Sequence, residues 1–228
     1  MPRTRLAILA AVLLPAAPAL AQGLTAAGRE EQLSALKLEL ERNAQQLRRY
    51  QWVQDVKVTV MGEVVLQQRM ACHVAPDGNV EKLLISNTTP EPKKKGGGEG
   101  GGQTSAVVRQ AVAIVHQYVP LDPALLQRCQ DAGKISYEIL QPGKAAKVVC
   151  RDYRLPGDAV TLAVDPSTSR LVTLEVSSYL GAPSSPVSMS ARFADLPDGT
   201  QAPSTLALGY APRRLSLEVK HSDFRPRP

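Results

Sequence analysis

Seven segments in the second half of this 228-residue chain read as β-strands divided by turn residues, and that pattern limits the fold more than any other feature. The segments are 134–140, 144–155, 158–164, 170–180, 187–194, 204–210 and 214–223. Between them stand Gln141-Pro142-Gly143, Pro156-Gly157, Asp165-Pro166-Ser167, Pro197-Asp198-Gly199 and Ala211-Pro212, residues that favour tight turns. The last segment alternates cleanly, with Leu215, Leu217 and Val219 against Ser216, Glu218 and Lys220. Short strands with short connections cannot accommodate parallel crossovers, so they predict an antiparallel meander.

The first half repeats the pattern after one helix. Leu33, Leu36, Leu40, Ala44 and Leu47 recur at helical spacing within residues 23–49. This stripe is narrow, which suits a helix lying on a sheet. From Trp52 the period becomes two. Trp52, Val56, Val58 and Val60 share one face, and Gly62 turns the chain. Val64, Leu66, Met70, Cys72 and Val74 form the next apolar face, and residues 80–86 follow the Pro76-Asp77-Gly78-Asn79 turn as a third strand.

Two helices are expected between these meanders. Thr104 or Ser105 can cap one that runs to Tyr118, with Val108, Val112, Val115 and Val119 on one side. Asp122 caps a second, with Pro123 at its first position, and Gly133 stops it. The fold class is therefore α+β: one large curved antiparallel sheet of about ten strands, open and barrel-like. An N-terminal helix and a central helical pair cover its apolar face. Two sheets packed as a sandwich are the alternative.

Residues 1–21 are read as a secretory signal peptide. Arg3 and Arg5 precede a short apolar run over 6–14, and Ala19-Leu20-Ala21 ends it with small residues. The run is too short to span a bilayer. A single domain over 22–228, periplasmic or secreted, is the expectation, with a disordered Lys/Gly-rich loop at 90–103. The formal charge of +6 falls to +4 without Arg3 and Arg5, and Lys93, Lys94 and Lys95 supply most of the excess. With no basic stripe and only 4% aromatic residues, neither a nucleic-acid partner nor an outer-membrane barrel is indicated.

Export implies oxidising conditions for Cys72, Cys129 and Cys150. A tight turn at Pro142-Gly143 pairs positions that sum to 285, which sets Cys150 opposite Ile135. Cys129 enters that strand from the preceding helix. A Cys129–Cys150 disulfide follows, with Cys72 a free buried thiol. Cys72 and His73 are adjacent on a strand and point to opposite faces, so no metal site is expected there. His116 and His221 have no thiol or carboxylate at ligand spacing. Tyr153, Tyr179 and Tyr210 fall on strands, where packing is their expected role and lining a cavity the alternative. No nucleophile–base pair, phosphate loop or dinucleotide fingerprint occurs, so neither an enzyme nor a cofactor is expected.

Three segments carry a resemblance: NAQQLRRYQWVQDVKVTVMGE (43–63), CRDYRLPGDAVTLAVDPSTSRLVTLEVSSYLG (150–181) and LPDGTQAP (196–203). They resemble a family of uncharacterised secreted bacterial proteins. More distantly, the plan is similar to the outer-membrane lipoprotein carrier family, chiefly at the turns 165–171 and 198–203. That resemblance implies a curved sheet whose apolar concave face is plugged by helices. The expected function is the binding or carriage of an apolar ligand, a lipid or acyl chain, between sheet and helices. Trp52, Val56, Val58, Leu66 and Met70 are the candidate lining. The alternative is a non-catalytic envelope protein, structural or regulatory, that binds a protein partner.

Overall fold

The computed structural model describes residues 25–90 and 100–227. The expected signal peptide lies outside the described residues, as does most of the Lys/Gly-rich stretch. The chain runs through α1 (Ala26–Leu47), β1 (Tyr50–Val60), β2 (Glu63–Val74) and β3 (Val80–Asn87). Next come α2 (Gly100–Tyr118), α3 (Pro123–Asp131), β4 (Ile135–Gln141), β5 (Ala145–Arg151) and β6 (Ala159–Asp165). It closes with β7 (Arg170–Tyr179), β8 (Pro186–Asp195), β9 (Gln201–Tyr210) and β10 (Leu215–Pro226). Helix α2 thus begins four residues before the cap expected at Thr104.

All ten strands form one antiparallel sheet in the order β3-β2-β1-β10-β9-β8-β7-β6-β5-β4. It curves without closing, which excludes the sandwich. Each meander is sequential, and the β1–β10 pairing welds the two together: Val56 faces Val219 and Val58 faces Leu217. The β1–β2 hairpin turns on Met61 and Gly62, at φ 54° and 85°. Two left-handed residues match the twist of the flanking strands, and glycine takes the second at no steric cost. Aspartates build other turns: Asp77, Asp165 and Asp198 each accept from the backbone N–H two residues on.

Strand β5 stops at Arg151, short of the 144–155 expected from its apolar run. Asp152 adopts φ 52°, and the buried Asp158 carboxylate accepts from the backbone N–H groups of Arg154 and Leu155 at 3.1 and 3.0 Å. The side chain thereby replaces the strand ladder over those residues.

The core is one layer between the concave sheet face and the helices. Val58, Val148, Leu162, Leu174 and Leu217 are closed to solvent there, below Leu33 and Leu36 of α1 and Leu125 and Leu126 of α3. Helix α1 is tied to the sheet by the Asn43 amide. Its Nδ2 donates to the Gln201 carbonyl at 2.7 Å, and its Oδ1 accepts from the Gln201 N–H at 2.6 Å. Lys37 of α1 donates to Gln127 and Gln130 of α3. The Cys129–Cys150 disulfide joins α3 to β5, Ile135 pairs with Cys150 as the register requires, and Cys72 is free and buried.

Candidate functional site

Helix α2 crosses the concave face and is anchored at its C-terminal end. The buried Tyr118 hydroxyl donates to Asp158 Oδ2 at 2.5 Å and lies 3.0 Å from Ser178 Oγ. Burial, followed by the bond to Asp158, holds the Tyr118 phenol well above its ordinary pKa, so it remains a donor. The helix face turned to the core is Ala111, Ile114 and Tyr118, all buried. The valines expected there flank it: Val108, Val112, Val115 and Val119 are half-buried. Alanine at the closest approach lets the helix axis sit nearer the sheet than a valine ridge would allow.

That rotation leaves the Val108–Val112 edge of α2 facing β2 across an open cleft of about 400 Å³, lined by Val65, Leu66, Ser105, Val108, Arg109 and Val112. Its β2 wall arises from a bulge. The register steps from Val58↔Leu66 to Thr59↔Val64, so Val65 is the extra residue and packs toward the core in place of the expected Val64. The periodicity of the sequence carries no trace of this step.

The sequence-derived candidates fall in four places. Leu66 lines the cleft. Met70, half-buried on the same strand face, pairs across to Leu84 of β3, which is 52% exposed. Val56 and Val58 belong to the closed core. Trp52 is 6% exposed, stacked on Phe224 at 5.9 Å and edge-on to His221 at 6.4 Å.

Polar residues that sequence reasoning passed over share this face. Two cross-strand rows run side by side over the concave surface. One is Leu84–Met70–Gln54–His221 and the other Lys82–Cys72–Trp52. The Cys72 thiol donates to Gln54 Oε1 at 3.5 Å, and Lys82 Nζ lies 3.2 Å from His116 Nε2 on α2. Trp52 Nε1 and His221 Nδ1 are buried without a hydrogen-bond partner. Burial holds the His221 imidazole down at about 4, aided by the Lys82 charge and opposed by a bond to the Pro203 carbonyl. Burial and then Lys82 lower His116 in the same sense, and burial raises the Cys72 thiol against the pull of Lys82. The Cys72 thiol bonds Gln54, and among the described residues no hydrogen bond joins it to an imidazole. The signal for Gln54 and His221 was a polar residue in phase with an apolar row: position 54 among 52, 56 and 58, and 221 after 215, 217 and 219. His73 points to the other face and pairs with Glu81 at 3.2 Å.

A second cavity, of about 720 Å³, opens at the rim of β7–β10 beside the 156–157 turn, with Tyr179, Val187, Tyr210 and Leu215 in its wall. Tyr179 and Tyr210 border this cavity, and Tyr210 also packs in the core. Tyr153 does pack, tilted on Tyr118 at 5.9 Å between ring centres.

No family model matches the chain, and no curated protein matches it. Among solved structures, an outer membrane lipoprotein-sorting protein domain from Vibrio parahaemolyticus superposes with a TM-score of 0.47 at 12% identity, covering 87% of this chain and 93% of that one. A DUF1329 family protein from Desulfovibrio piger gives 0.43 at 8% identity, over 86% and 92%. A LolA superfamily protein from Nitrosomonas europaea gives 0.34 at 10%, over 84% and 94%. Among the described residues, no helix is long and apolar enough to cross a membrane.

Proposed function

We propose that this protein is an exported, periplasmic carrier that holds an apolar ligand, a lipid or acyl chain, in the cleft between α2 and the β2–β3 end of the sheet. The observation that supports this reading is the cleft itself. A half-open apolar channel of about 400 Å³ separates a helix from the sheet it covers, while the neighbouring core is closed. Such volumes are typical of small-molecule sites. Val65 and Leu66 supply its sheet side, and Met70 follows on the same face of β2. Val56 and Val58 belong to the closed core beside it, and Trp52 is stacked on Phe224.

Titration with a fluorescent acyl probe tests the reading. Saturable stoichiometric binding is expected, and Val112→Arg, which puts a guanidinium in the cleft from a half-buried helix position, should abolish it without loss of the folded circular dichroism spectrum. Wild-type protein that fails to bind any acyl probe refutes the reading.

A second reading, a non-catalytic protein that binds a protein partner, draws on the edge strand β3, where Leu83 and Ile85 are 73% and 54% exposed. An unpaired apolar edge invites strand addition. Leu83→Lys, on the face away from the cleft, leaves acyl binding intact if the carrier reading holds.

A further inference from the structure

Both walls of the cleft continue beyond its lining toward a cation. Along α2, Val108, Val112 and His116 follow one another at four-residue spacing, so a single helix edge runs from the cleft wall to His116 over about 12 Å. Along the sheet, Leu66, Met70 and Cys72 lie on one face of β2, and the register sets Leu84 beside Met70 and Lys82 beside Cys72. Both walls therefore lead to the same place, where Lys82 Nζ meets His116 Nε2 at 3.2 Å. Arg109, beside Val108, is the cation in the cleft lining itself. Among the described residues no carboxylate pairs with Lys82 or Arg109. In the row of Lys82 and Cys72, the Trp52 Nε1–H is buried without an acceptor. A buried donor without a partner is uncommon in a folded protein and marks a place where a ligand atom can bond.

We infer that the cleft is built for an anionic amphiphile: its acyl chain lies along Leu66, Val108, Val112 and Met70, and its carboxylate or phosphate head is held by Lys82 at the His116 end. This rests on the carrier reading of the same cleft and adds the polarity and direction of the ligand. The ammonium has three donors, of which His116 takes one. Two donors remain for a head group. A neutral chain fills the same apolar wall but leaves the cation unmatched.

Isothermal titration of the exported protein with dodecanoate, dodecyl phosphate, dodecanol and inorganic phosphate, at low ionic strength, tests this. The two anionic amphiphiles should bind about tenfold tighter than dodecanol, the effect of one charge-assisted hydrogen bond. Added salt should narrow that margin. Lys82→Met, at an exposed position on the edge strand, should bring dodecanoate to the affinity of dodecanol and leave dodecanol unchanged, with the melting temperature unaltered. Equal affinities in the wild type, or a Lys82→Met variant that keeps the preference, overturn the inference and leave the apolar cleft standing. Inorganic phosphate binding as tightly as dodecyl phosphate shows a site for a free anion and overturns the amphiphile. Failure of all three dodecyl ligands overturns both readings.

Discussion

Acidification from pH 6.5 to 4 should destabilise this protein through one residue, His221. Its imidazole is wedged edge-on to Trp52, beside Gln54 in the register, and near Lys82. One ring nitrogen bonds the Pro203 carbonyl and Nδ1 has no partner. The folded pKa is about 4, whereas an unperturbed histidine titrates near 6.5. Above pH 6.5 the side chain is neutral in both states and contributes no pH dependence. Between 6.5 and 4 the unfolded chain takes up a proton that the fold excludes, so stability falls as pH falls. Below 4 both states are protonated and the term is constant. The difference corresponds to at most about 3 kcal/mol, or a fall in Tm of about 6–12 °C for a chain of this size. His116, lowered for the same reason, adds in the same direction. The carboxylates of Asp77, Asp152, Asp165 and Asp198 are held low by hydrogen bonds. Their contribution is present above the ordinary carboxylate range and is lost only below it, near pH 4, so the two windows separate. Urea unfolding at intervals from pH 7 to 4 measures the slope, and His221→Gln, which can keep the Pro203 bond, should flatten it. An equally steep slope in that variant, or an NMR titration placing His221 near 6.5, refutes the argument.

Three further outcomes are expected. Tyr118→Phe removes a hydroxyl that donates to the buried Asp158 carboxylate and should cost about 1.5–3 kcal/mol in urea unfolding, with Asp158→Ala costing more because the N–H groups of Arg154 and Leu155 are orphaned too. Cys129→Ser/Cys150→Ser should lose roughly 3 kcal/mol, the chain-entropy value for a loop of this length. Cys72, buried and with its thiol pKa raised, should resist alkylation in the native protein and react once it is unfolded, as mass spectrometry with and without denaturant will show.

Local chemistry made much of this legible. Asp122 caps α3 through its side chain, and Gly133 ends that helix at φ 65°. The turn at Gly143 sets Ile135 opposite Cys150, and that one register decided which cysteines could meet. Leu66 and Met70 were legible as candidates because they lie in phase with Trp52 and Val58. Arg109 and Lys82 were not, since a cation on a helix flank or an edge strand ordinarily denotes a solvated surface. Gln54 and His221 were passed over because an apolar row tolerates a polar member in the reading, whereas in the fold each must find a partner or remain unsatisfied.

What the sequence alone determined is whatever depends on neighbours a few residues apart: period-two strands, aspartate and glycine turns, helix caps, hairpin registers and the disulfide that follows from one of them. Their energies are set within a few residues, so they are written locally. What only the tertiary structure decided depends on residues far apart in the chain: the pairing of β1 with β10, the bulge at Val65, and the turn of α2 that buries Ala111 and leaves Val108 and Val112 beside a cleft. That turn depends on how a helix ridge meets a curved sheet and on a hydroxyl reaching Asp158 forty residues away. Whether an apolar face becomes filled core or an open channel is therefore a property of the assembled fold, since it is set by the volume left between surfaces that the chain brings together only on folding.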